Sequence, residues 1–239
     1  MHHHTELTRN DVRYVVQRLP KDIRDLLTQH AGRLFVGGGF VRATIAGEEP
    51  SDIDLFGDDA GALRLIAEMF AKDRPDARVH KSDNAVTVIT PNRLAVQFIT
   101  RWTFARAVDL VSSFDFTVCQ AAVWRDGKQS KSKWCSSIGE GFYVDLAGRR
   151  LVYTNPVREE EAGGSMVRVL KYVKRGYSIQ MTSLGQVIAR LIAGIHPNRM
   201  AAEDNGLVIS GLLREVDPLL VIDGFDVVDD HEPIEGEEK

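Results

Sequence analysis

Three consecutive glycines, Gly37 to Gly39, separate a short apolar run, Leu34 to Val36, from a helical stretch, Phe40 to Ala46, that closes at Gly47. Glycine loses more backbone freedom on folding than any other residue, so a run of three belongs to a turn rather than inside an element. The pattern reads as strand, glycine turn, helix. At Gly38 and Gly39 the backbone N–H groups and the positive end of the helix dipole can face a phosphate chain without side-chain obstruction. Arg42 lies one turn into that helix and can add a charge-assisted contact to the same phosphates; its alternative is a solvent-exposed helix arginine. Twelve residues, Phe40 to Ser51, lead on to Asp52-Ile53-Asp54-Leu55-Phe56, which alternates acid and apolar side chains as a half-buried strand does. Acids two apart on a strand share a face, with Cα atoms roughly 6 to 7 Å apart. Asp52 and Asp54 can therefore hold one hard cation. Magnesium, or manganese in its place, takes one or two protein carboxylates and fills its other positions with water and phosphate oxygens.

The flanking sequence supplies the rest of a sheet and its helices. Val12, Val15, Val16 and Leu19 share a helical face, with Asn10 or Asp11 as cap and Pro20 as stop, and a short helix through Ile23, Leu26 and Leu27 ends toward Gly32. Ala62 to Phe70 returns to helical spacing. Ala85 to Thr90 and Leu94 to Thr100, joined by Pro91, Asn92 and Arg93, read as a hairpin. A helix-like Thr103 to Val111 precedes an alternating strand, Phe114 to Val123, whose pattern puts Asp115 on the face away from apolar packing. Arg125 to Lys133 is polar and basic and reads as an exposed loop; Phe142 to Leu146 and Leu151 to Tyr153 read as a second hairpin. Beyond Pro156 the pattern is helical, over Val167 to Tyr177, Leu184 to Ile195 with Ser183 as cap, and Gly206 to Val216. The expected organisation is a head over 1–155, a helical domain over 156–228 and an acidic, disordered tail over 229–239.

Charge and composition narrow the partners. The net charge of −4 hides an asymmetry: residues 215–239 carry ten acids and one base, leaving +5 on residues 1–214. A mildly basic body suits a polyanionic substrate. Cys119 and Cys135 are too far apart for a Cys-x-x-Cys pair, which argues against a disulfide framework or zinc knuckle. No apolar run reaches bilayer length and the start, Met1 to His4, lacks a secretory signal, so the expected place is the cytoplasm, with no membrane partner.

Val36-Gly37-Gly38-Gly39-Phe40-Val41-Arg42 followed by Asp52-Ile53-Asp54-Leu55 resembles the signature of the polymerase-beta-type nucleotidyltransferases, nearest to the CCA-adding and bacterial poly(A) polymerase branch. Asp115-Phe116-Thr117-Val118, with Gln120-Ala121 trailing, is similar to that branch's Arg-Arg-Asp-Phe-Thr-Ile-Asn-Ala motif. Val167-Arg168-Val169-Leu170-Lys171, then Arg175-Gly176-Tyr177, is similar to the helix leading into its neck. There are departures: Ala43 stands where the branch has aspartate, Ser113-Phe114 replaces the arginine pair, and no Glu-Asp-x-x-Arg helix follows.

The resemblance implies an α+β fold, a mixed sheet flanked by helices and followed by a small helical domain. It also implies transfer of a nucleoside monophosphate from a nucleoside triphosphate to an acceptor hydroxyl, with Asp52 and Asp54 as metal ligands. Asp115 would be a third carboxylate near the metal or a hydrogen-bond partner of the ribose, against the alternative of a polar residue on a solvated face. Gln97 occupies a place where other branches keep a third acid. Arg168 and Lys171 would meet triphosphate or an RNA backbone, unless they are only the wet face of their helix. The acceptor expected first is RNA, such as a tRNA 3′ end; a protein or small-molecule acceptor, and a non-catalytic nucleotide-binding module, are the other classes.

Overall fold

A computed structural model describes residues 5–127, 133–156, 163–195 and 204–216. The chain divides into two compact units, Met1–Val157 and Arg158–Lys239. The basic stretch inside Arg125 to Lys133 and the acidic tail fall largely or wholly outside the described residues.

The first unit is built on a seven-stranded sheet. Its strands are β1 (Leu34–Gly37), β2 (Asp52–Gly57), β3 (Arg78–Lys81), β4 (Ala85–Ile89), β5 (Ala95–Ile99), β6 (Ala121–Asp126) and β7 (Lys133–Ile138), in the spatial order β3-β4-β5-β2-β1-β6-β7. Every neighbouring pair is antiparallel except β2 and β5, which run parallel. The sheet is therefore mixed. Helices α1 (Arg9–Arg18), α2 (Lys21–Gln29), α3 (Gly39–Ala46), α4 (Ala60–Lys72), α5 (Ala107–Ser113) and α6 (Phe142–Ala147) complete it.

The core follows from side-chain alternation. Ile53 and Leu55 of β2 and Phe98 of β5 are fully buried, and α4 turns Leu63, Ala67 and Phe70 inward, with the Phe70 and Phe98 rings edge-to-face at 5.7 Å. A second cluster gathers Phe35, Phe56, Ala107, Leu110, Val111 and Ala122, with Phe114 packed against it. Phe56 belongs to the same face of β2 as Asp52 and Asp54, so that face is apolar at one end and acidic at the other.

Several expectations are corrected. The cap of α1 is Thr8, whose hydroxyl accepts from the Asp11 N–H, rather than Asn10 or Asp11. The helix expected over Thr103 to Val111 starts at Ala107. Phe114 to Val123 is not one strand. The backbone at Thr117–Cys119 closes a 3₁₀ turn, with Gln120 N–H donating to the Thr117 carbonyl, and β6 begins only at Ala121. Both sides of this segment are buried, so alternation carried no information about exposure. Phe142 to Leu146 is helical instead of half a hairpin: Phe142, Asp145 and Leu146 are its buried face, a spacing of three and four residues. Strands β3 and β7 had no signal, because β3 is exposed at all four residues and β7 does not alternate, with Trp134 and Cys135 adjacent and Ser136 and Ser137 adjacent.

The second unit contains α7 (Gly164–Lys174), α8 (Met181–Ala193) and α9 (Asn205–Val216). α7 buries Gly164, Ser165, Val167, Val169 and Tyr172; α8 buries Ser183, Val187 and Leu191. Ser183 lies inside α8, whose cap is Gln180, so its expected role as N-cap is not observed.

Candidate active site

The glycine turn sits where β1 hands over to α3. Gly38 has φ +68° and ψ −124°, a conformation that side chains other than hydrogen rarely adopt. Its N–H donates to the Ala121 carbonyl at 2.9 Å, which locks the turn to β6. The Phe114 ring forms the floor: a Cβ on Gly38 would approach it to 3.0 Å, and one on Gly37 to 3.1 Å. Gly39 differs, because a Cβ there would meet nothing within 4 Å. The helix that starts at Gly39 leaves its first N–H groups without intrahelical acceptors, as every helix does. Gly39 thus opens the helix and leaves space where a side chain would stand.

Asp52 and Asp54 are half-buried and flank the fully buried Ile53. β1 and β2 run antiparallel with Val36 opposite Leu55, so the next step along the ladder brings Gly37, and with it the turn, level with Asp54. The two acids share one face of β2 and stand beside the glycine turn. On the other side, the parallel ladder sets Ala95 against Asp52 and Gln97 against Asp54. The Gln97 Nε2 donates to Asp52 Oδ2 at 3.3 Å. Burial of the Asp54 carboxyl, and then the negative charge of Asp52, push its pKa well above the ordinary carboxylate range. A divalent cation between the two would offset that repulsion, and a pair of carboxylates is within the one or two that magnesium takes from a protein. The donor set fits. Among the described residues no group of three or more His, Cys, Asp or Glu converges as a metal cluster.

Arg42 is neither exposed nor reaching outward. It is 2% exposed, and its Nη1 donates to Glu48 Oε2 at 2.5 Å. This partner is not legible from periodicity, because Glu48 lies beyond Gly47, off the helical repeat. Asp115 is also buried, at 2% exposure, which overturns the solvated alternative. Its segment is pinned by the strand-like stretch 152–154: Thr154 N–H donates to the Asp115 carbonyl, and Phe116 bridges Tyr153. Asp115 thus follows directly on the ring that floors the glycine turn.

One acid was missed. Asp145 of α6 is 3% exposed and accepts from the Thr117 hydroxyl at 2.6 Å and from Arg150 at 2.8 and 2.5 Å. This network fastens the Asp115 segment to α6. The pair Gly139 and Gly141 was the available signal: a Cβ at Gly139 would collide with the Gln120 side chain, and Gly141 has φ +87°. Arg168 and Lys171 belong to α7 in the second unit, Arg168 half-buried and Lys171 exposed. The cavity of about 240 Å³ lined by His30, Arg33, Asp58, Leu63, Ile66 and Met69 opens at the Gly57 end of β2, and neither Asp52 nor Asp54 lines it.

The mixed seven-stranded sheet flanked by helices is an α+β fold of nucleotidyltransferase type, shared with solved CCA-adding enzymes. A Thermotoga maritima CCA-adding enzyme complexed with tRNA matches 91% of this chain with a TM-score of 0.55 at 18% identity, and the match covers 55% of that protein. A CCA-adding enzyme with CTP matches at a TM-score of 0.53, 17% identity, with 91% of this chain and 54% of that one covered. The chain spans about half the length of these proteins. By sequence, the chain belongs to the Gabija anti-defense 2 family, whose model matches residues 6–149. No curated protein matches it by sequence. Among the described residues no helix is long and apolar enough to cross a membrane.

Proposed function

We propose that the chain is a divalent-metal-dependent nucleotidyltransferase, moving a nucleoside monophosphate from a nucleoside triphosphate to an acceptor hydroxyl with release of pyrophosphate. The observation that carries this reading is the pair Asp52 and Asp54 on one face of β2, level with the glycine turn. Asp52 and Asp54 would hold magnesium or manganese, which when bound supplies positive charge for the phosphates and lowers the pKa of the attacking hydroxyl. The chain's own part is placement. The Gly39 N–H and the start of α3 receive phosphate oxygens in the space left by the missing Cβ, with Gly38 fixing the turn. Arg42, held by Glu48, stiffens the first turns of α3 from inside. Asp115 serves as ribose partner or third carboxylate, and Mn2+ affinity of Asp115→Asn separates the two. Arg168 and Lys171 contribute charge for triphosphate or an RNA backbone, and replacing either with Ala raises the KM for nucleotide.

RNA is the acceptor this reading names first, on the likeness to a CCA-adding enzyme complexed with tRNA. The family name favours a second acceptor class: an anti-defence protein has reason to modify a component of the defence it opposes, and that component can be a protein. The test incubates the chain with each labelled triphosphate and Mg2+ or Mn2+, against total RNA and against cell protein. Label moving into RNA or protein with stoichiometric pyrophosphate supports transfer and picks the acceptor. Activity that survives both Asp52→Ala and Asp54→Ala overturns the mechanism.

A further inference from the structure

Gln97 of β5 reaches the carboxylate pair. Ala95 stands level with Asp52 and offers only a methyl group, so contact to Asp52 from β5 must come diagonally, from the residue two further along. Gln97 is that residue. It lies opposite Asp54 on one side and opposite Thr87 of β4 on the other, and all three share one face of the sheet. Its amide meets Asp52 Oδ2 at 3.3 Å. An ionised carboxylate only accepts hydrogen bonds, so the NH₂ rather than the oxygen of the amide must face Asp52.

We propose that Gln97 is a positioning residue for the metal site: its amide holds Asp52 Oδ2 and so fixes the carboxylate that would meet the cation, while its neutrality keeps the site at two negative charges. This rests on the metal reading given above. The hydrogen bond fixes the rotamer of Asp52, and the orientation of a ligand before the metal arrives is what such outer partners supply, commonly at tenfold or more in affinity. The chemical identity at 97 also sets the charge. Glutamate has the same length and shape as glutamine, so at 97 it would bring a third carboxylate to the same place. That would repel Asp52 without metal and add a ligand with it.

The two substitutions must act in opposite directions, which a merely structural role for Gln97 would not produce. The full-length chain is titrated with Mn2+ alone, and free Mn2+ is followed by its EPR signal, for the native chain, Gln97→Ala, Gln97→Glu and Asp52→Ala. Circular dichroism checks each fold, and thermal melts are run with and without Mn2+. The expected result is Mn2+ affinity lowered about tenfold in Gln97→Ala and raised in Gln97→Glu. Gln97→Glu should also melt lower than the native chain without Mn2+ and recover on its addition. If the native chain binds Mn2+ in an Asp52-dependent way and both Gln97 variants bind it equally well, or both lose it together, this proposal is overturned and the metal reading stands. If the native chain binds no Mn2+ through Asp52, both fall.

Discussion

Two carboxylates of the first unit, Asp22 and Asp54, are both partly buried, and the fold surrounds them with opposite charge. Asp22 on α2 accepts from Arg93, in the turn between β4 and β5, at 2.7 and 2.8 Å, and from Arg74, just beyond α4. Burial pushes its carboxyl up, but Arg93 and Arg74 outweigh it and hold Asp22 below the ordinary range. At Asp54 burial and the neighbouring Asp52 act in the same direction, upward. An acid given two arginines ties three elements together and is architecture. Two acids set side by side at the glycine turn are disfavoured in the free protein, and a bound cation would relieve them.

That contrast breaks first at the level of activity. Asp52→Ala or Asp54→Ala should lower turnover at least about 1,000-fold, roughly 4 kcal/mol of transition-state stabilisation. Both proteins should melt no lower than the native chain. A pyrophosphate-release assay beside a melt checks both halves, and a coupled loss of folding would make the pair architectural after all. The glycine turn divides in the same way. Gly38→Ala forces a side chain into a left-handed conformation and onto the Phe114 ring, and should cost about 3 kcal/mol of stability in a denaturant melt. Gly39→Ala meets open space, so it should leave stability within about 0.5 kcal/mol while raising the KM for nucleotide. Equal stability losses in the two would mean that Gly39 is structural.

How much of this was legible in the sequence follows from the range of the interactions. The glycine turn and the Asp52/Asp54 pair were readable because each is local: a run of three glycines has one economical use, and two-residue spacing fixes a shared face. The hairpin of β4 and β5 was readable for the same reason, with Pro91 and Asn92 at its turn. Asp115 was located but its environment was misjudged, since alternation predicts a face only where one face meets water, and here neither does. The partnership of Arg42 with Glu48, and of Thr117 with Asp145, depends on side chains brought together by tertiary packing, which no periodicity encodes. β3 was invisible because an exposed edge strand needs no apolar pattern.

The architectural side of the comparison is sharpened by Asp22→Asn. Asn cannot carry the charge that Arg93 and Arg74 face, so stability at neutral pH should fall by about 1 kcal/mol, a modest figure because the cluster is open to water. The sign of the pH dependence is set by the lowered pKa. The Asp22 contribution is present above the unfolded value and is lost as pH falls through the folded value. The native and Asp22→Asn melting curves should therefore converge in acid. Parallel curves down to strongly acidic pH would remove Asp22 as an architectural charge.

The smallest effect is the most discriminating, because its sign is opposite. A folded pKa raised above the unfolded one means that the protonated form of Asp54 is favoured by folding. Its contribution is full below the unfolded pKa and is lost as pH rises through the folded value. Replacing Asp54 with Asn, a neutral side chain of the same shape, should therefore stabilise the metal-free chain near neutral pH, by about 0.5 to 1 kcal/mol, and leave it unchanged in acid. Adding Mn2+ should reverse the order, since only the native chain gains a ligand that binds the folded state. Melts of both proteins across the pH range, with EDTA and with Mn2+, read all three conditions. A variant less stable than the native chain at neutral pH in EDTA would mean that Asp54 is paired like Asp22, and the contrast between the two corners would collapse.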